Sequence, residues 1–275
     1  MKLRNDYCRL LGLAIAMWLI FGPARITRAT NVLFHGANVD ATFGDDAAVL
    51  SHLQSLFGAD NVQYMQADMA ATDGSSAMGF DAIVISSTFF STTLRDVYED
   101  TPVGVLSWEQ ALTRLYPGEF HLSTWGRTAT TQTQIDIVDP THPLAAGLSG
   151  TVTVFSTART MSLGTGVLGP GVSKVAAPTS APGDHAIMAA DVGDLLLGDG
   201  SPGNPTRATG RRVMFFLEDQ NFRDLTPEGL ALFDAAVQWV AIPEPSSLIL
   251  AAVGLPSALC FVLRSRFGGG RRPTY

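Results

Sequence analysis

The sequence predicts an α/β domain with a mostly parallel, flavodoxin-like sheet, flanking helices and an antiparallel insertion at one edge. Three observations support this prediction. Short apolar runs recur through the first half of the body, as expected for parallel strands covered on both faces. Segments with helical spacing alternate with these runs, which is typical of βαβ units. In the second half, β-branched runs lie between Gly, Pro and Thr turns, which favours antiparallel strands.

The first half of the body is predicted to alternate between strands and helices. The most strongly predicted strand is residues 80–86 (FDAIVIS), which is apolar apart from Asp81 and Ser86. The helix at 45–57 places Val49 and Leu53 on one apolar face. Residues 70–78 are small and polar and are predicted to form a loop. The other predicted strands are 31–35, 61–66 and 103–107, and the other predicted helices are 92–100 and 109–115.

The second half is predicted to add the edge strands and a closing helix. A further buried strand is expected at 211–217. The closing helix begins with Thr226 as its N-cap, carries Pro227 and Glu228 in its first turn, and runs through Val240. Its apolar face should pack back on the sheet. The antiparallel strands are predicted at 133–138, 151–155, 166–176 and 185–189.

The N-terminal 29 residues have the pattern of a secretory signal peptide. Lys2 and Arg4 precede an apolar run at 10–21, and cleavage is predicted between Ala29 and Thr30. The alternative is an uncleaved N-terminal anchor, since arginines crowd the cleavage site. Both interpretations require the Sec translocon, and the first also requires signal peptidase.

The last 34 residues, 242–275, are predicted to leave the domain and enter a membrane. Residues 246–263 carry no charge and form a marginal single span, because a spanning helix needs about 20 apolar residues. Arg264 and Arg266 follow the span, and the positive-inside rule therefore places the body outside the cell. Pro243, Glu244 and Pro245 precede the span, and two prolines so close together hold the backbone extended. An ordinary C-terminal anchor would not explain this triplet.

The Pro-Glu-Pro triplet, the apolar span and the basic cluster, in this order at the C-terminus, resemble the PEP-CTERM sorting signal of Gram-negative surface proteins. The resemblance implies an exosortase as partner. It also implies an inner-membrane tether before processing, then a cell-surface or extracellular location, often alongside exopolysaccharide. This chain departs from the family pattern at Pro256 inside the span and in residues 267–275, which follow the usual basic stop.

The remaining body, residues 30–241, is predicted to be one domain. Both cysteines of the chain, Cys8 and Cys260, lie outside it, so the body has no disulfide, no thiol nucleophile and no cysteine metal site. It carries 9 basic and 23 acidic residues, a formal net charge of −14. Such a charge repels phosphate backbones, and nucleic acid is therefore excluded as an expected partner.

Candidate pocket residues follow from the rule that ligands bind beyond the carboxyl ends of parallel strands. An imidazole beside a carboxylate can act as a general acid and base, and an exposed indole can stack on a sugar ring. Each has a structural alternative: a hydrogen-bonded histidine, a core tryptophan or a solvated acidic turn. The candidates are His35, Ser86, Ser87, Trp108, Glu109, Glu218 and Asp219. No metal ligand, cofactor or catalytic residue is assigned.

Residues 80–87, and residues 101–107 running into 110–112, resemble the strand and nucleophile-elbow region of class I glutamine amidotransferase-like folds. The ThuA-like branch is the nearest, and residues 139–144 are similar to a stretch of that branch. Where an amidotransferase has its cysteine, this chain offers Ser107, Trp108 or Glu109. The resemblance therefore implies a ThuA-like domain without glutamine hydrolysis. The flanking glycines of a serine-hydrolase elbow are missing too.

Two functional hypotheses follow from the sequence. The first is an exported, non-catalytic surface domain that contacts carbohydrate or extracellular matrix. The alternative is an extracellular sugar-modifying enzyme that uses His35 with Glu109 or Asp219.

Overall fold

The structure is a computed structural model and describes residues 30–128 and 131–242. The predicted signal peptide and the predicted sorting signal from Pro243 onward lie outside these residues. Among the residues described, no helix has the length and hydropathy needed to cross a membrane.

The domain is built on a mixed sheet of nine strands, in the order β2-β1-β3-β4-β11-β10-β9-β6-β7, with β5 and β8 paired separately. The strands are β1 Val32–Gly36, β2 Val62–Gln66, β3 Ala82–Ile85, β4 Gly104–Ser107, β5 Ser123–Thr128, β6 Gln134–Ile137, β7 Gly150–Thr153, β8 Ser162–Leu168, β9 Ser173–Pro178, β10 Ile187–Ala190 and β11 Arg212–Met214.

The sheet has a parallel half and an antiparallel half. β2, β1, β3, β4 and β11 run parallel, in the strand order 2-1-3-4-5 of flavodoxin-like sheets if β11 is counted as the fifth. β10, β9, β6 and β7 extend it with antiparallel pairs. The predicted α/β class with a largely parallel central sheet is confirmed, and the antiparallel strands lie at one edge as expected.

Two α-helices cover one face of the sheet. α1 (Asp46–Phe57) and α2 (Pro227–Ala241) match the predicted helices at 45–57 and 226–240. The Thr226 hydroxyl accepts a hydrogen bond from the Gly229 N–H (3.1 Å), which satisfies one of the free donors at the start of α2. Both helices pack on the same buried apolar cluster, which contains Val32, Phe34, Val84, Leu106, Leu53, Phe233 and Val237.

The helices predicted at 92–100 and 109–115 are wrong. Only short 3₁₀ turns form there, at Ser91–Thr93 and Gln110–Thr113. The first stops because Asp96 takes a left-handed conformation (φ 67°), and the second because Arg114 is extended. These irregular segments still bury apolar side chains against the second face of the sheet, including Leu94, Tyr98, Leu112, Ile83 and Ile85.

Two strand predictions also need correction. The stretch 166–176 is not one strand, because Pro170 lies between β8 and β9 and cannot donate to a ladder. β5 was not predicted, since Ser123–Thr128 is mostly polar and shows no apolar alternation. It pairs with β8 and forms the small second sheet.

Arg212, at the start of β11, is almost fully buried (1% exposed), and among the described residues no ion pair with a carboxylate is found for it. Its guanidinium instead donates to main-chain carbonyl oxygens and also lies over the Phe120 ring. Burial lowers the Arg212 pKa, and the surrounding oxygens compensate the charge. The residues whose carbonyl oxygens accept are Tyr98, Glu99, Thr101, Val103 and Arg211, at 2.6–3.3 Å. Arg212 therefore fixes the 98–103 loop to the central strands.

Replacing Arg212 by lysine should destabilise the fold strongly. A lysine keeps the charge but loses the planar fork, so several buried carbonyl oxygens lose their donor. We expect the free energy of unfolding to fall by about 3 kcal/mol or more in urea unfolding. Arg207→Lys is the matched control because Arg207 is exposed; it should change stability by about 0.5 kcal/mol or less. Equal effects of the two variants would contradict this role of Arg212.

Candidate functional site at the carboxyl edge of the sheet

The carboxyl ends of β1, β3, β4 and β11 lie along one edge of the sheet, because these strands are parallel neighbours. The segments that follow them bring four acidic side chains to this edge. These are Asp46 at the start of α1, Glu109 after β4, and Glu218 and Asp219 after β11. The pKa of each is raised, first by burial.

Asp46 is the most buried of these carboxylates and the one that sequence analysis missed. The Ser86 hydroxyl donates to its Oδ1 (2.7 Å), and the Thr88 hydroxyl donates to its Oδ2 (2.8 Å). A Cβ at Gly36 would lie 2.2 Å from Asp46 Oδ2 and 2.4 Å from the Tyr64 hydroxyl, so only glycine fits at the end of β1. Burial raises the Asp46 pKa to about 6. The sequence signal that could have identified this residue is the Asp45-Asp46 pair at the start of the predicted helix.

Asp219 connects the segment after β11 to the segment after β3 and to the start of α1. The Ser87 hydroxyl donates to its Oδ1 (2.6 Å), and its main-chain oxygen accepts from the Asp45 N–H (2.7 Å). Asp45 in turn forms an ion pair with Arg223 (2.8 Å). The structure therefore brings together three predicted candidates, Ser86, Ser87 and Asp219, around the start of α1.

Glu109 has a structural role as a cap. Its Oε1 accepts from the Ala111 N–H (3.0 Å) at the start of the 3₁₀ turn Gln110–Thr113. The side chain is 7% exposed. Burial raises its pKa to about 8, and the charges of Glu218 and Asp219 add to this. Glu109 is therefore mostly protonated at neutral pH.

Glu218 is also held inside the protein. The Ser162 hydroxyl donates to its Oε1 (2.6 Å), and its own N–H donates to Asn221 Oδ1 (2.9 Å). Burial raises its pKa. This arrangement places Glu218 in a hydrogen-bonded, partly buried turn between β11 and α2, rather than in a fully solvated one.

His35 is completely buried and both of its ring nitrogens have partners. Nδ1 lies 3.2 Å from the Met65 carbonyl oxygen, and Nε2 lies 2.8 Å from the Tyr98 hydroxyl. Since a carbonyl oxygen only accepts, Nδ1 carries the proton and Nε2 accepts from Tyr98. Burial lowers the His35 pKa to about 4, so the ring is neutral at pH 7. His35 does not reach solvent and points to the face opposite Phe34, since adjacent strand residues face opposite sides.

Trp108 lies in the core, and it offers no open ring face for a sugar. It is 2% exposed and packs on Phe34 and Phe233, with ring centroids 6.1 Å apart in each case. At the end of β4, the Ser107 side chain is fully buried and its Oγ accepts from the Glu109 N–H (3.1 Å). The Ser107 hydroxyl is therefore used in a turn after β4 and is not exposed.

Within residues 30–128 and 131–242, no group of three or more His, Cys, Asp or Glu side chains could hold a metal ion. The side chains that meet at this edge offer carboxyl groups and hydroxyls. Two carboxylic acids with raised pKa values can donate or accept protons near neutral pH.

The chain is similar in fold to at least one protein of known structure. No family model matches the chain, and no curated protein matches it. The crystal structure of a ThuA-like protein from Bacteroides uniformis aligns with a TM-score of 0.47 and 13% sequence identity. The alignment covers 79% of this chain and 94% of the Bacteroides uniformis chain.

The raised pKa of Glu109 predicts a loss of stability at alkaline pH. Its pKa rises from the ordinary 4.5 to about 8 on folding, so its contribution is full below pH 4.5 and is lost as pH rises through 8. The contribution of Asp46 to stability is likewise lost as pH rises from 3.8 to about 6. His35 has a lowered pKa, so its contribution to stability is instead lost as pH falls from 6.5 to about 4. Both of these changes lie mostly below pH 6.5, and the difference in stability between wild type and a Glu109 variant from pH 6.5 to 8.5 therefore reports the ionisation of Glu109.

We expect the stability of the wild type, relative to Glu109→Gln, to fall by about 1–2 kcal/mol between pH 6.5 and 8.5 in urea unfolding. Glutamine keeps the acceptor for the Ala111 N–H but cannot ionise. The exposed Glu228 provides a control, since Glu228→Gln should leave the difference between the two pH values unchanged. A parallel pH dependence of Glu109→Gln and wild type would exclude the raised pKa.

Proposed function

We propose that this chain is an exported surface protein with a non-catalytic α/β domain, sorted through its C-terminal segment by an exosortase. The observation that supports the non-catalytic role is that the fold itself uses the candidate side chains. The ring nitrogens of His35 are both bonded, Trp108 lies in the core, and Glu109 caps a turn. The absence of cysteine from residues 30–241 agrees with it.

The proposed route to the surface rests on the sequence of the two ends. Residues 1–29 direct the chain to the Sec translocon and signal peptidase. Residues 246–263 then tether it in the inner membrane, with the domain outside. The exosortase recognises Pro243, Glu244 and Pro245, and the domain is delivered to the cell surface or beyond.

The proposed partner of the displayed domain is carbohydrate of the extracellular matrix, such as exopolysaccharide. Two exposed aromatic side chains near the carboxyl edge support this. Phe90 (86% exposed) follows the Ser86–Thr88 stretch, and Phe43 (49% exposed) precedes Gly44, whose Cα packs beside Asp219 and Thr88. Exposed aromatic rings beside hydrogen-bonding groups are suited to binding sugar rings.

The sorting proposal is tested by changing the triplet. In a Gram-negative host that contains an exosortase, the full chain should be shortened at its C-terminus and leave the inner membrane. Pro243→Ala/Glu244→Ala/Pro245→Ala should remain at full length in the inner-membrane fraction, by intact mass and immunoblotting. Ser246→Ala/Ser247→Ala, in the adjacent residues, should be processed like wild type. Full-length wild type that keeps Tyr275 would overturn the proposal.

The carbohydrate proposal is tested on immobilised native exopolysaccharide. Phe43→Ala/Phe90→Ala should reduce retention of the chain about tenfold or more, because two stacking surfaces are lost. Met78→Ala removes an exposed aliphatic side chain (78% exposed) and should retain wild-type binding. No retention of the wild type would exclude this partner.

The second candidate function is a sugar-modifying enzyme. It is favoured by Glu109, whose pKa is raised by burial and further by the charges of Glu218 and Asp219, because glycoside hydrolysis uses a pair of carboxyl groups of which one is an acid of raised pKa. Its proposed acid–base pair is Glu109 with Asp219, since His35 is enclosed. In this case the wild type would turn over a polysaccharide, and Glu109→Gln would lower kcat at least about 100-fold. The non-catalytic proposal expects no turnover by either protein.

A further inference from the structure

An apolar groove lies at the amino-terminal edge of the parallel strands, opposite the carboxyl edge. Its volume is about 330 Å³. Segments preceding or beginning β3 and β4 form its floor, and the end of α2 forms one wall. The apolar lining includes Phe80, Val103, Val192, Val240 and Ile242. Two charged side chains, Asp81 and Arg211, also line it.

The chain leaves the described domain at the lip of this groove. Ile242, the last described residue, is itself part of the lining. Arg211 Nη1 donates to the carbonyl oxygens of Trp239 (2.9 Å) and Ile242 (3.4 Å), and its guanidinium lies 4.7 Å from the Trp239 ring centroid. These contacts fix the position from which the following residues start.

The charged groups around the groove are engaged with the domain. Arg211 Nε donates to Asp191 Oδ1 (3.0 Å), and Asp81 Oδ2 accepts from the Asn31 N–H (2.9 Å). What the groove presents to an occupant is therefore chiefly apolar surface. A suitable occupant has apolar side chains and few backbone donors that would lose water.

We propose that residues 243–247 of this chain bind in the groove, with Pro243 and Pro245 against its apolar wall. Proline has no N–H, so it can cover apolar surface without burying an unpaired donor. Alternate residues of an extended segment face opposite sides, so both prolines face the groove and Glu244 faces solvent. Five extended residues reach about 17 Å from Ile242, which itself lines the groove.

This docking has a consequence for sorting, and that consequence rests on the proposed function. A triplet held in the groove is withdrawn from the exosortase, so processing competes with docking. Loosening the groove should then speed processing. Val192→Glu places a charge on a partly exposed groove residue (44% exposed) and should raise the rate of processing at least about threefold.

The docking itself is tested without an exosortase, by disulfide formation in the purified full-length chain in detergent. The native cysteines are first changed by Cys8→Ser and Cys260→Ser. One test cysteine is placed in the segment by Pro245→Cys, and its partner in the groove by Val192→Cys. A disulfide forms readily only when the two Cα atoms approach within about 7 Å. Gln238→Cys serves as the matched control. Gln238 is exposed on the last turn of α2 and does not line the groove, and it is closer to residue 245 in sequence than Val192 is.

We expect the 192–245 pair to form its intramolecular disulfide at least about fivefold faster than the 238–245 pair. Without docking, the 238–245 pair would react faster, because fewer residues separate its two cysteines along the chain. Equal rates, or a faster 238–245 pair, would overturn the proposal. Disulfides formed mainly between two chains would also overturn it, since they would assign the groove to a second copy. Ser247→Cys with Val192→Cys repeats the test with both prolines retained, since residue 247 faces the same side of the extended segment as the prolines, and a rate no higher than that of 238–247 would overturn it as well. These outcomes are independent of processing, so a failure of exosortase sorting is distinguishable from a failure of docking.

Discussion

The hydrogen bonds of Asp46 are the interaction on which the rest of the carboxyl edge depends. They join the first turn of α1 to the ends of β1 and β3, through the Ser86 and Thr88 hydroxyls and the close approach at Gly36. A buried carboxylate without such partners would cost several kcal/mol. The Ser86 and Thr88 hydroxyls therefore hold the start of α1, and this use determines which groups remain for a ligand.

The sequence predicted the parts of the fold that follow from local patterns. The parallel strands and both α-helices came from apolar runs and from capping signals such as Thr226-Pro227, which act over a few residues. The helix predicted at 92–100 failed because Asp96 takes a left-handed conformation in contact with Gly118, a long-range interaction that periodicity cannot report. β5 was missed for a similar reason, since its pairing with β8 stabilises a strand without its own apolar pattern.

The candidate site was predicted less completely than the fold. The rule about strand ends found Ser86, Ser87 and Asp219, which the structure does bring together. It could not decide what each side chain does, because that depends on partners far away in sequence. His35 meets Met65 and Tyr98, and Trp108 meets Phe233, so both are used in packing. Asp46 was overlooked because a first-turn aspartate also suits a solvated helix start.

The two edges of the sheet differ in what they leave for other molecules. At the carboxyl edge, acids of raised pKa are bonded to hydroxyls and main-chain N–H groups, and Glu109 keeps its proton at neutral pH. The edge therefore carries less negative charge than its four acids imply, and a cation entering it would have to displace that proton.

At the amino edge, Gly104 lets α2 approach so closely that a Cβ would lie 2.1 Å from the Val240 carbonyl oxygen. That close approach sets the end of α2, and hence the chain's exit at Ile242, beside uncovered apolar surface. Internal hydrogen bonds thus engage the four acids of the first edge, whereas the apolar lining of the second can be covered only by a further segment or molecule.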